Sequence, residues 1–334
     1  MDNFYNVKLA PQNTINTNEF STTLWGINFR LPLLNAAGMF KDGQGYDVVS
    51  SLGAGGYIGG TSTSGVRDGN IIHGIRHPFI SLHQSNIAVN YLGLPNLGDA
   101  LLHTKTITSQ KISGCPIGWS LMRDPLLTEK EGVTELINSL FLYEQNPHID
   151  FIEINESCPN VKLHNTSVDF ENRLQYVAKH FLQKRTRHLP VIVKISNDVS
   201  IDALPNILNI LFKYKFDGIN IGNTSTNYED AIKYIAKDDV SLFKYFTKNF
   251  GGGVSGKYLQ SNSLFLCTEA VKYKNTQNLD YEFHVIRTGG VASYEDVLLS
   301  KQYGISLNQW YTGFFSNYIL HGNDVYNNIF LSIP

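Results

Sequence analysis

The sequence predicts a single (β/α)₈ barrel, and three observations support that fold. The chain has 334 residues, of which 42% are hydrophobic and 17% charged, so it can bury one large core. Short runs of apolar or β-branched residues occur eight times along it. Amphipathic stretches separate most of these runs. Regular alternation of strands and helices over a chain of this length is typical of a TIM barrel.

The eight runs are apolar on both faces, as the strands of a parallel sheet are. Most of them are followed by glycine or small polar residues, which are typical of loops. The predicted strands are Leu33–Ala37, Gly56–Thr61, Pro116–Leu121, Phe151–Asn155, Val191–Ser196, Gly218–Gly222, His284–Thr288 and Leu307–Tyr311. Eight such units favour a closed barrel, and a doubly wound open sheet is the alternative.

Helix signals fall between most of the strands. Some of the helices follow a Ser or Thr that can cap them, and Thr128 with Glu131 has the spacing of a capping box. The predicted helices are a segment after Thr128, Ile201–Tyr214 after Ser200, Tyr294–Gly304 after Ser293, Asp169–Arg185 and Ser261–Tyr273.

The chain divides into a short polar N-terminal segment, residues 1–22, and one barrel domain over residues 23–334. Two connections in the barrel are long. Ser62–Leu101 follows the second strand and Asn223–Lys257 follows the sixth. Because the loops after barrel strands build the active site, we expect these insertions to be lids or substrate walls.

Composition excludes several classes of function. A net charge of −2 gives no basic surface for nucleic acid. No apolar run reaches the roughly 20 residues of a transmembrane helix, and the N-terminus lacks the pattern of a signal peptide. Three scattered cysteines, Cys115, Cys158 and Cys267, do not form a disulfide framework. We therefore expect a cytoplasmic protein.

Polar residues cluster at the carboxyl ends of the predicted strands, which one barrel rim would gather. Glycine-containing segments follow the last two strands: Gly289-Gly290 after the seventh, and Thr312-Gly313, preceded by Tyr311, after the eighth. Such loops expose backbone N–H groups and precede helix N-termini, so they favour a phosphate. The cluster Gly251–Gly256 either joins the same phosphate site or forms a flexible loop.

Three side chains are candidates for chemistry. Lys194 lies inside an apolar strand, where it either meets an anion or extends to the rim. Lys41 follows the first strand in a polar loop that alone suggests a surface lysine. Cys158 follows the fourth strand in a polar loop, and its thiolate could act as a base if cations or donors lowered its pKa. No second Cys or His lies at the spacing of a metal site.

The segment Glu153–Lys162 (EINESCPNVK) resembles the catalytic loop of class 1 dihydroorotate dehydrogenases. The resemblance extends from about Leu24 to Phe315. Asn35–Gly38 resembles the family's first FMN loop, and Asn90–Asn96 resembles its substrate loop. Asn223–Ser225 resembles its orotate-binding pair. The family's phosphate-side loops are similar to Gly252–Gly256, Thr288–Gly290 and Tyr311–Gly313. The cysteine loop is specific, and the common order of all these segments makes a chance match improbable.

The resemblance implies FMN-dependent oxidation of (S)-dihydroorotate to orotate in de novo pyrimidine biosynthesis. A hydride would pass from substrate C6 to flavin N5, and Cys158 would accept the C5 proton as catalytic base. Implied substrate-binding residues are Asn90, Leu92, Gly93, Leu94, Asn155, Asn160, Asn223 and Thr224. Implied FMN-binding residues are Ala37, Gly38, Lys41, Thr61, Ser120, Asn155, Lys194, Gly253, Ser255, Gly256, Gly289, Gly290, Tyr311, Thr312 and Gly313.

The sequence departs from the class 1 pattern at the second strand. Gly60 stands where soluble class 1 enzymes have a lysine, whereas Gly60-Thr61 and the loop containing Lys41 resemble the membrane-associated class 2 enzymes. Those enzymes use serine where Cys158 stands. The expected electron acceptor is a soluble, fumarate-like molecule, with a quinone as the alternative. Barrels of this family are often dimers, so a second copy of the chain is an expected partner.

Three other functions compete with this interpretation. A flavin enzyme similar to dihydropyrimidine dehydrogenase is the nearest, although Asn160 stands where that family has a histidine. A phosphate-binding barrel lyase would use Lys194 as a Schiff-base nucleophile. A non-catalytic barrel that serves as a binding scaffold is the third, and the gathered rim residues argue against it.

Overall fold

One sheet of eight parallel strands forms the centre of the protein, and the computed structural model describes residues 19–105, 111–156 and 167–331. The strands are β1 (Thr22–Leu24), β2 (Ile27–Phe29), β3 (Leu33–Asn35), β4 (Tyr57–Ser62), β5 (Ile71–Ile72), β6 (Ile75–Arg76), β7 (Phe79–Leu82), β8 (Ile87–Asn90), β9 (Ile117–Leu121), β10 (Phe151–Asn155), β11 (Val191–Ile195), β12 (Gly218–Ile221), β13 (Gly253–Gly256), β14 (His284–Thr288) and β15 (Leu307–Trp310). The α-helices are α1 (Tyr46–Ser51), α2 (Asp99–Lys105), α3 (Glu129–Gln145), α4 (Ser167–Val177), α5 (Leu204–Lys213), α6 (Tyr228–Ala231), α7 (Val240–Asn249), α8 (Gln260–Asn275), α9 (Tyr294–Gln302), α10 (Thr312–His321) and α11 (Val325–Leu331).

The central sheet confirms the predicted barrel. Its order is β3-β15-β14-β12-β11-β10-β9-β4, and each neighbouring pair is parallel. These eight strands agree with the eight predicted ones to within two residues at each end. Helices lie between most of them along the chain, so the fold is a (β/α)₈ barrel whose first and last sheet strands, β3 and β4, face each other.

A side chain closes the barrel where β3 meets β4. The Asn35 amide donates from Nδ2 to the Ile58 carbonyl at 2.8 Å, and its Oδ1 accepts from the Ile58 N–H at 3.1 Å. Backbone bonds on either side, Gly55 N–H to the Leu33 carbonyl and Gly38 N–H to the Gly60 carbonyl, complete the seam. Asn35 is fully buried, and its side chain replaces backbone hydrogen bonds that a β-ladder between β3 and β4 would supply.

We expect Asn35→Ala to lower the free energy of unfolding by about 2–5 kcal/mol, because it leaves both Ile58 backbone groups buried without their partner. Chemical denaturation of the apoprotein measures the change. Asn138→Ala is the matched control, because Asn138 is exposed and bonds only Glu135 in its own helix. Equal stabilities for the two variants would contradict the structural role of Asn35.

The amino-terminal end of the barrel is filled by apolar side chains. The β1–β2 hairpin covers this end, and the Trp25 indole donates to the Asp217 carbonyl at 3.0 Å. Inward-facing residues of the barrel strands pack beneath it as one buried cluster with Leu24, Trp25 and Phe29: Leu34, Ile58, Phe151, Ile192, Ile286 and Leu307. Any ligand inside the barrel must therefore enter from the opposite, carboxyl end.

The predicted helix caps are present. The Thr128 and Ser293 side chains each accept from the backbone N–H three residues on, and Glu131 and Asp296 complete the two capping boxes. Ser200 accepts from the Ala203 N–H at the start of the segment that becomes α5. These helices bury their apolar faces against the outer face of the barrel in the main core. Among the described residues, no helix has the length and hydropathy to cross a membrane.

The two long insertions join into one layer. Strands β7 and β8 come from the insertion after β4, and β13 comes from the insertion after β12, yet they form one antiparallel sheet in the order β13-β8-β7. Helix α7 covers this sheet in a separate apolar cluster that includes Phe243, Phe246 and Val254. The insertions therefore form a common wall beside the carboxyl ends of the barrel strands.

Candidate active site

A cavity of about 890 Å³, part of it open to solvent, lies at the carboxyl ends of the barrel strands. Its volume is in the range of about 300–1,000 Å³ that small-molecule sites occupy. The residues that line it come from the barrel strands and from both insertions: Ala36, Ala37, Gly38, Lys41, Thr61, Asn90, Leu92, Leu94, Asn155, Lys194, Asn223, Thr224, Ser255, Gly256, Leu259, Thr288, Gly289, Gly290, Val291, Gln309, Trp310, Tyr311, Thr312 and Gly313.

Most of the residues predicted from the sequence meet in this cavity. Those on the substrate side are Asn90, Leu92, Leu94, Asn155, Asn223 and Thr224. Those on the cofactor side are Ala37, Gly38, Lys41, Thr61, Lys194, Ser255, Gly256, Gly289, Gly290, Tyr311, Thr312 and Gly313. Segments that lie up to about 276 residues apart in sequence thus converge on one site, as the barrel topology requires.

Three predicted residues lie behind the cavity wall. The Ser120 hydroxyl is 2.9 Å from that of Thr61, so it supports a lining residue from the buried side. Gly253 pairs with Asn90 in the insertion sheet. The Gly93 carbonyl accepts from the Arg67 guanidinium at 3.3 Å, and a Cβ at Gly93 would meet the Asn70 side chain at 2.4 Å.

Cys158 and Asn160 lie outside the described residues, so their roles stay predictions from the sequence. The residue that precedes that segment is firmly held. Glu156 accepts from Arg173 Nε and Nη2 at 2.9 and 2.8 Å, and Arg173 also pairs with Glu129 at 3.0 Å. The Glu156 backbone N–H donates to the Lys194 carbonyl at 3.0 Å.

A chain of amides and hydroxyls crosses the substrate side. Asn223 Nδ2 donates to Asn155 Oδ1 at 3.2 Å, and Asn155 Nδ2 donates to Thr61 Oγ1 at 3.3 Å. The Asn223 side chain also accepts from the Thr224 backbone N–H at 2.9 Å. Amide side chains offer both donors and acceptors, which suits the edge of a ring that carries imide N–H and C=O groups.

Gly60 cannot be replaced by the class 1 lysine in this geometry. Its φ is +85°, a conformation that favours glycine, and a Cβ there would meet the Ser120 carbonyl oxygen at 2.4 Å. The cavity instead receives Lys41 from the loop after β3. A cation therefore reaches the site from the neighbouring strand, as the sequence pattern predicted.

Glycines form a cradle at one end of the cavity. Gly256, Gly290 and Gly313 all line it, and a Cβ on them would meet neighbouring backbone atoms at 2.2–2.4 Å. Gly256 and Gly290 also have φ of +104° and +73°. Beside them the hydroxyls of Ser255 and Thr312 lie 2.9 Å apart. Bare backbone N–H groups and hydroxyls in a concave site are the donors that a phosphate needs.

The two helices beside this cradle differ at their N-termini. The first turn of α9 is occupied by its own Ser293–Asp296 capping box. Helix α10 begins at Thr312, and its N-cap residue, Tyr311, makes no side-chain capping bond. Because Thr312 and Gly313 line the cavity, the positive end of α10 is the one that faces it.

A buried polar network forms the floor of the cavity. Lys194 Nζ lies 3.2 Å from Glu153 Oε1 and donates to Gln309 Oε1 at 3.4 Å. The other carboxylate oxygen, Glu153 Oε2, accepts from Asn220 Nδ2 at 2.6 Å and Gln309 Nε2 at 2.8 Å. The Thr288 hydroxyl donates to Asn220 Oδ1 at 2.8 Å. Lys194 therefore meets an anion of the protein itself, which resolves the alternatives that the sequence left open.

Glu153, Asn220 and Gln309 belong to the site although they are not among the residues predicted from the sequence. A signal for Glu153 is present, because it is a charged residue in the apolar strand β10 and lies two positions from Asn155, on the same face. Asn220 and Gln309 interrupt apolar strands in the same way. Leu259 has no comparable signal, because it is one apolar residue among many.

The electrostatic character of the site is cationic. Of the described residues that line the cavity, Lys41 and Lys194 carry positive charge and none carries negative charge. Burial raises the pKa of Tyr311 to about 12, so its phenol stays neutral and can donate at physiological pH. No group of three His, Cys, Asp or Glu side chains within the described ranges could hold a metal ion. The two lysines of the lining thus favour an anionic ligand.

Comparison with known sequences places this site in context. The family model for dihydroorotate dehydrogenase matches residues 19–329. The dihydroorotate dehydrogenase (quinone) of Nostoc punctiforme is 28% identical over 312 residues, covering 92% of this chain and 78% of its own length. The enzyme of the same name from Christiangramia forsetii is 28% identical over 295 residues, with 87% and 78% covered.

Solved structures show the same architecture. The ligand-free DHODH of Eimeria tenella aligns with a TM-score of 0.77 and 18% identity, covering 98% of this chain and 89% of its own. The same enzyme in complex with ferulenol gives a TM-score of 0.73, also at 18% identity, with 96% and 85% covered. At this identity the structures support the fold alone.

Proposed function

This chain belongs to the dihydroorotate dehydrogenase family, and on that premise we propose that its cavity binds FMN and dihydroorotate side by side. The family is flavin-dependent, and its members oxidise dihydroorotate to orotate in pyrimidine biosynthesis. The chain is accordingly an oxidoreductase. The observation that carries the choice of FMN is the glycine cradle, because it provides a phosphate site at one end of a cavity whose floor holds a lysine.

Bound FMN supplies a two-electron acceptor that takes a hydride from the substrate. The residues of this chain do the rest. Lys41 and Lys194 provide positive charge toward the ring, and the Ser255–Thr312 hydroxyls with the cradle glycines hold the phosphate. Negative charge that develops on the ring is thereby stabilised by positive charge fixed in the site.

The substrate lies, in this proposal, against the amide chain. Asn90, Asn155 and Asn223 donate to and accept from the pyrimidine ring, with Thr224 beside them. The loop Leu92–Leu94, fixed by Arg67 through the Gly93 carbonyl, closes over the ring. Cys158 removes the C5 proton as catalytic base, and Asn160 contributes a further amide. Orientation of the substrate by several fixed amides accounts for a large part of the expected rate.

The geometry of Lys194 argues against the Schiff-base lyase. A nucleophilic lysine must be an uncharged amine that can reach the substrate. Lys194 instead has its ammonium 3.2 Å from a fully buried carboxylate. Its place in the floor suits a fixed charge rather than a nucleophile.

We further propose that a quinone, rather than the fumarate-like acceptor expected from the cysteine loop, reoxidises the enzyme. The relatives described above are named as quinone enzymes. Lys41 and Thr61, the residues that resemble the quinone-linked class, both line the cavity. Helix α10, which begins at the cavity, exposes Ile319 and Leu320 further along, and such apolar side chains suit the approach of a lipophilic acceptor.

The test is direct. We expect the purified protein to be yellow, or to become yellow when FMN is added, and dihydroorotate to bleach the flavin without oxygen. A short-chain quinone, fumarate and NAD⁺ are then added in parallel, and we expect the quinone to restore the colour fastest. A folded protein that cannot be loaded with FMN would overturn the cofactor proposal, and faster recovery with fumarate would overturn the acceptor proposal.

A further inference from the structure

Glu153 is a buried carboxylate below the proposed flavin site, and the proposed function gives it no role. It lies in the middle of β10 with no solvent exposure, and it faces the barrel interior above the apolar layer of Phe151 and Ile192. An isolated carboxylate in such a place costs several kcal/mol. Its retention therefore calls for a partner and a function.

The contacts of Glu153 divide between its two oxygens. Oε2 is satisfied by the amides of Asn220 and Gln309 at 2.6 and 2.8 Å. Oε1 accepts no hydrogen bond from the described residues, and the Lys194 ammonium lies 3.2 Å from it. The amides thus fix the carboxylate in place, and the remaining oxygen is directed to the lysine.

We propose that Glu153 is a positioning residue for flavin reduction: it keeps Lys194 as an ammonium at the floor of the cavity before electrons arrive. This inference rests on the proposed binding of FMN. The oxidised flavin ring is uncharged, so it cannot compensate a buried cation. Glu153 does so, and the positive charge is in place when the ring becomes an anion.

The other groups around Lys194 cannot replace this compensation. Gln309 on β15, Asn220 on β12, Thr288 on β14 and Asn155 on β10 are neutral side chains. Lys41, the other charged residue of the described cavity wall, is a cation. Among the described residues, Glu153 is thus the one negative charge that the structure pairs with Lys194.

Glu153→Gln removes the charge with little change of shape. The new carbonyl oxygen can accept from Asn220 and Gln309, which leaves the new NH₂ group directed at Lys194. A buried ammonium facing a donor and no anion is strongly disfavoured, so the lysine holds a neutral amine while the flavin is oxidised. Reduction of the flavin then creates an anion, and the amine binds a proton in response.

This difference can be counted in protons. In the wild type, two electrons and one proton convert the uncharged flavin ring to its reduced anion. In Glu153→Gln, the same two electrons bring in two protons, of which the second binds Lys194. The count is obtained from the midpoint potential of the bound flavin across neutral to mildly alkaline pH, because its slope against pH is proportional to protons per electron. We expect the slope in Glu153→Gln to be twice that of the wild type.

Two further variants test whether the second proton depends on the Glu153–Lys194 pair. Glu153→Asp keeps the charge and should return the count toward one proton. Glu153→Gln combined with Lys194→Met removes both partners and should give one proton, because no amine remains to bind the second. A purely structural role for Glu153 would change the affinity for FMN without changing the count.

The outcomes separate the possible failures. Uptake of one proton per two electrons in both the wild type and Glu153→Gln would overturn the role of Glu153. Uptake of two protons in the wild type would also overturn it, and that measurement needs no variant. Two protons in the double variant would assign the second proton to another group and also overturn it. If the apoprotein does not bind FMN at all, the proposed function fails before this question is reached.

Discussion

Replacing Cys158 by alanine is expected to leave FMN bound and to slow flavin reduction by dihydroorotate about 10²–10⁴-fold, the usual contribution of a general base. The C5 proton then has no acceptor on the enzyme, while the hydride acceptor is unchanged. Anaerobic stopped-flow mixing, which follows flavin absorbance, measures the rate. Cys158→Ser should keep partial activity with a higher pH optimum, because a hydroxyl is a far weaker acid than a thiol.

The other two cysteines supply the control for this experiment. Burial raises the pKa of both Cys115 and Cys267 to about 12, and neither lines the cavity. Cys267 donates its S–H to the Ile221 carbonyl at 3.3 Å. We expect Cys267→Ala to reduce stability but to leave flavin reduction near the wild-type rate. A rate close to wild type in Cys158→Ala would show that another group accepts the proton.

The eight strands could be predicted because a buried parallel strand is apolar on both faces, so its pattern is local. The caps at Thr128 and Ser293 are local too, and both were found. The contact that closes the barrel was not predictable in this way. It depends on Asn35 reaching Ile58 across the β3–β4 seam, and in the sequence Asn35 is only a polar residue at a strand end.

The insertion sheet shows a second limit. β8 and β13 are separated by more than 160 residues in sequence, and nothing in either short strand specifies the other. Their pairing follows from the barrel, which brings the loops after β4 and β12 to the same end. Tertiary structure therefore determines a contact that local pattern cannot.

The residues that line the cavity could be predicted where the resemblance covered them, whereas those of its floor could not. Residues that line the cavity, such as Asn223-Thr224 and Gly289-Gly290, occur in recognisable loops. The floor residues Asn220 and Gln309 instead donate to the Glu153 carboxylate. Their importance appears only when β12 and β15 are placed beside β10, which carries Glu153. Lys194 indicated one half of the Glu153–Lys194 pair, because a lysine inside an apolar strand is costly to bury without an anion.

Replacing Gly290 by alanine is expected to weaken FMN binding roughly 10–100-fold, the loss of one or two hydrogen bonds to a charged phosphate. A Cβ at Gly290 would meet the Gln260 backbone at 2.4 Å, and its φ of +73° disfavours any other residue. The backbone of the cradle must therefore shift and move its N–H groups away from the phosphate. Titration of FMN into the apoprotein, followed by flavin fluorescence, gives the affinity.

Two comparisons make this result specific to the phosphate. Gly74→Ala carries the same conformational cost at φ of +77°, but it lies on an exposed hairpin with nothing within 4 Å of the new Cβ, so FMN affinity should not change. Riboflavin, which lacks the phosphate, should bind wild type and Gly290→Ala with similar affinity. If Gly290→Ala weakens riboflavin as much as FMN, the cradle acts on the ring or on the fold, and the phosphate must lie elsewhere in the cavity.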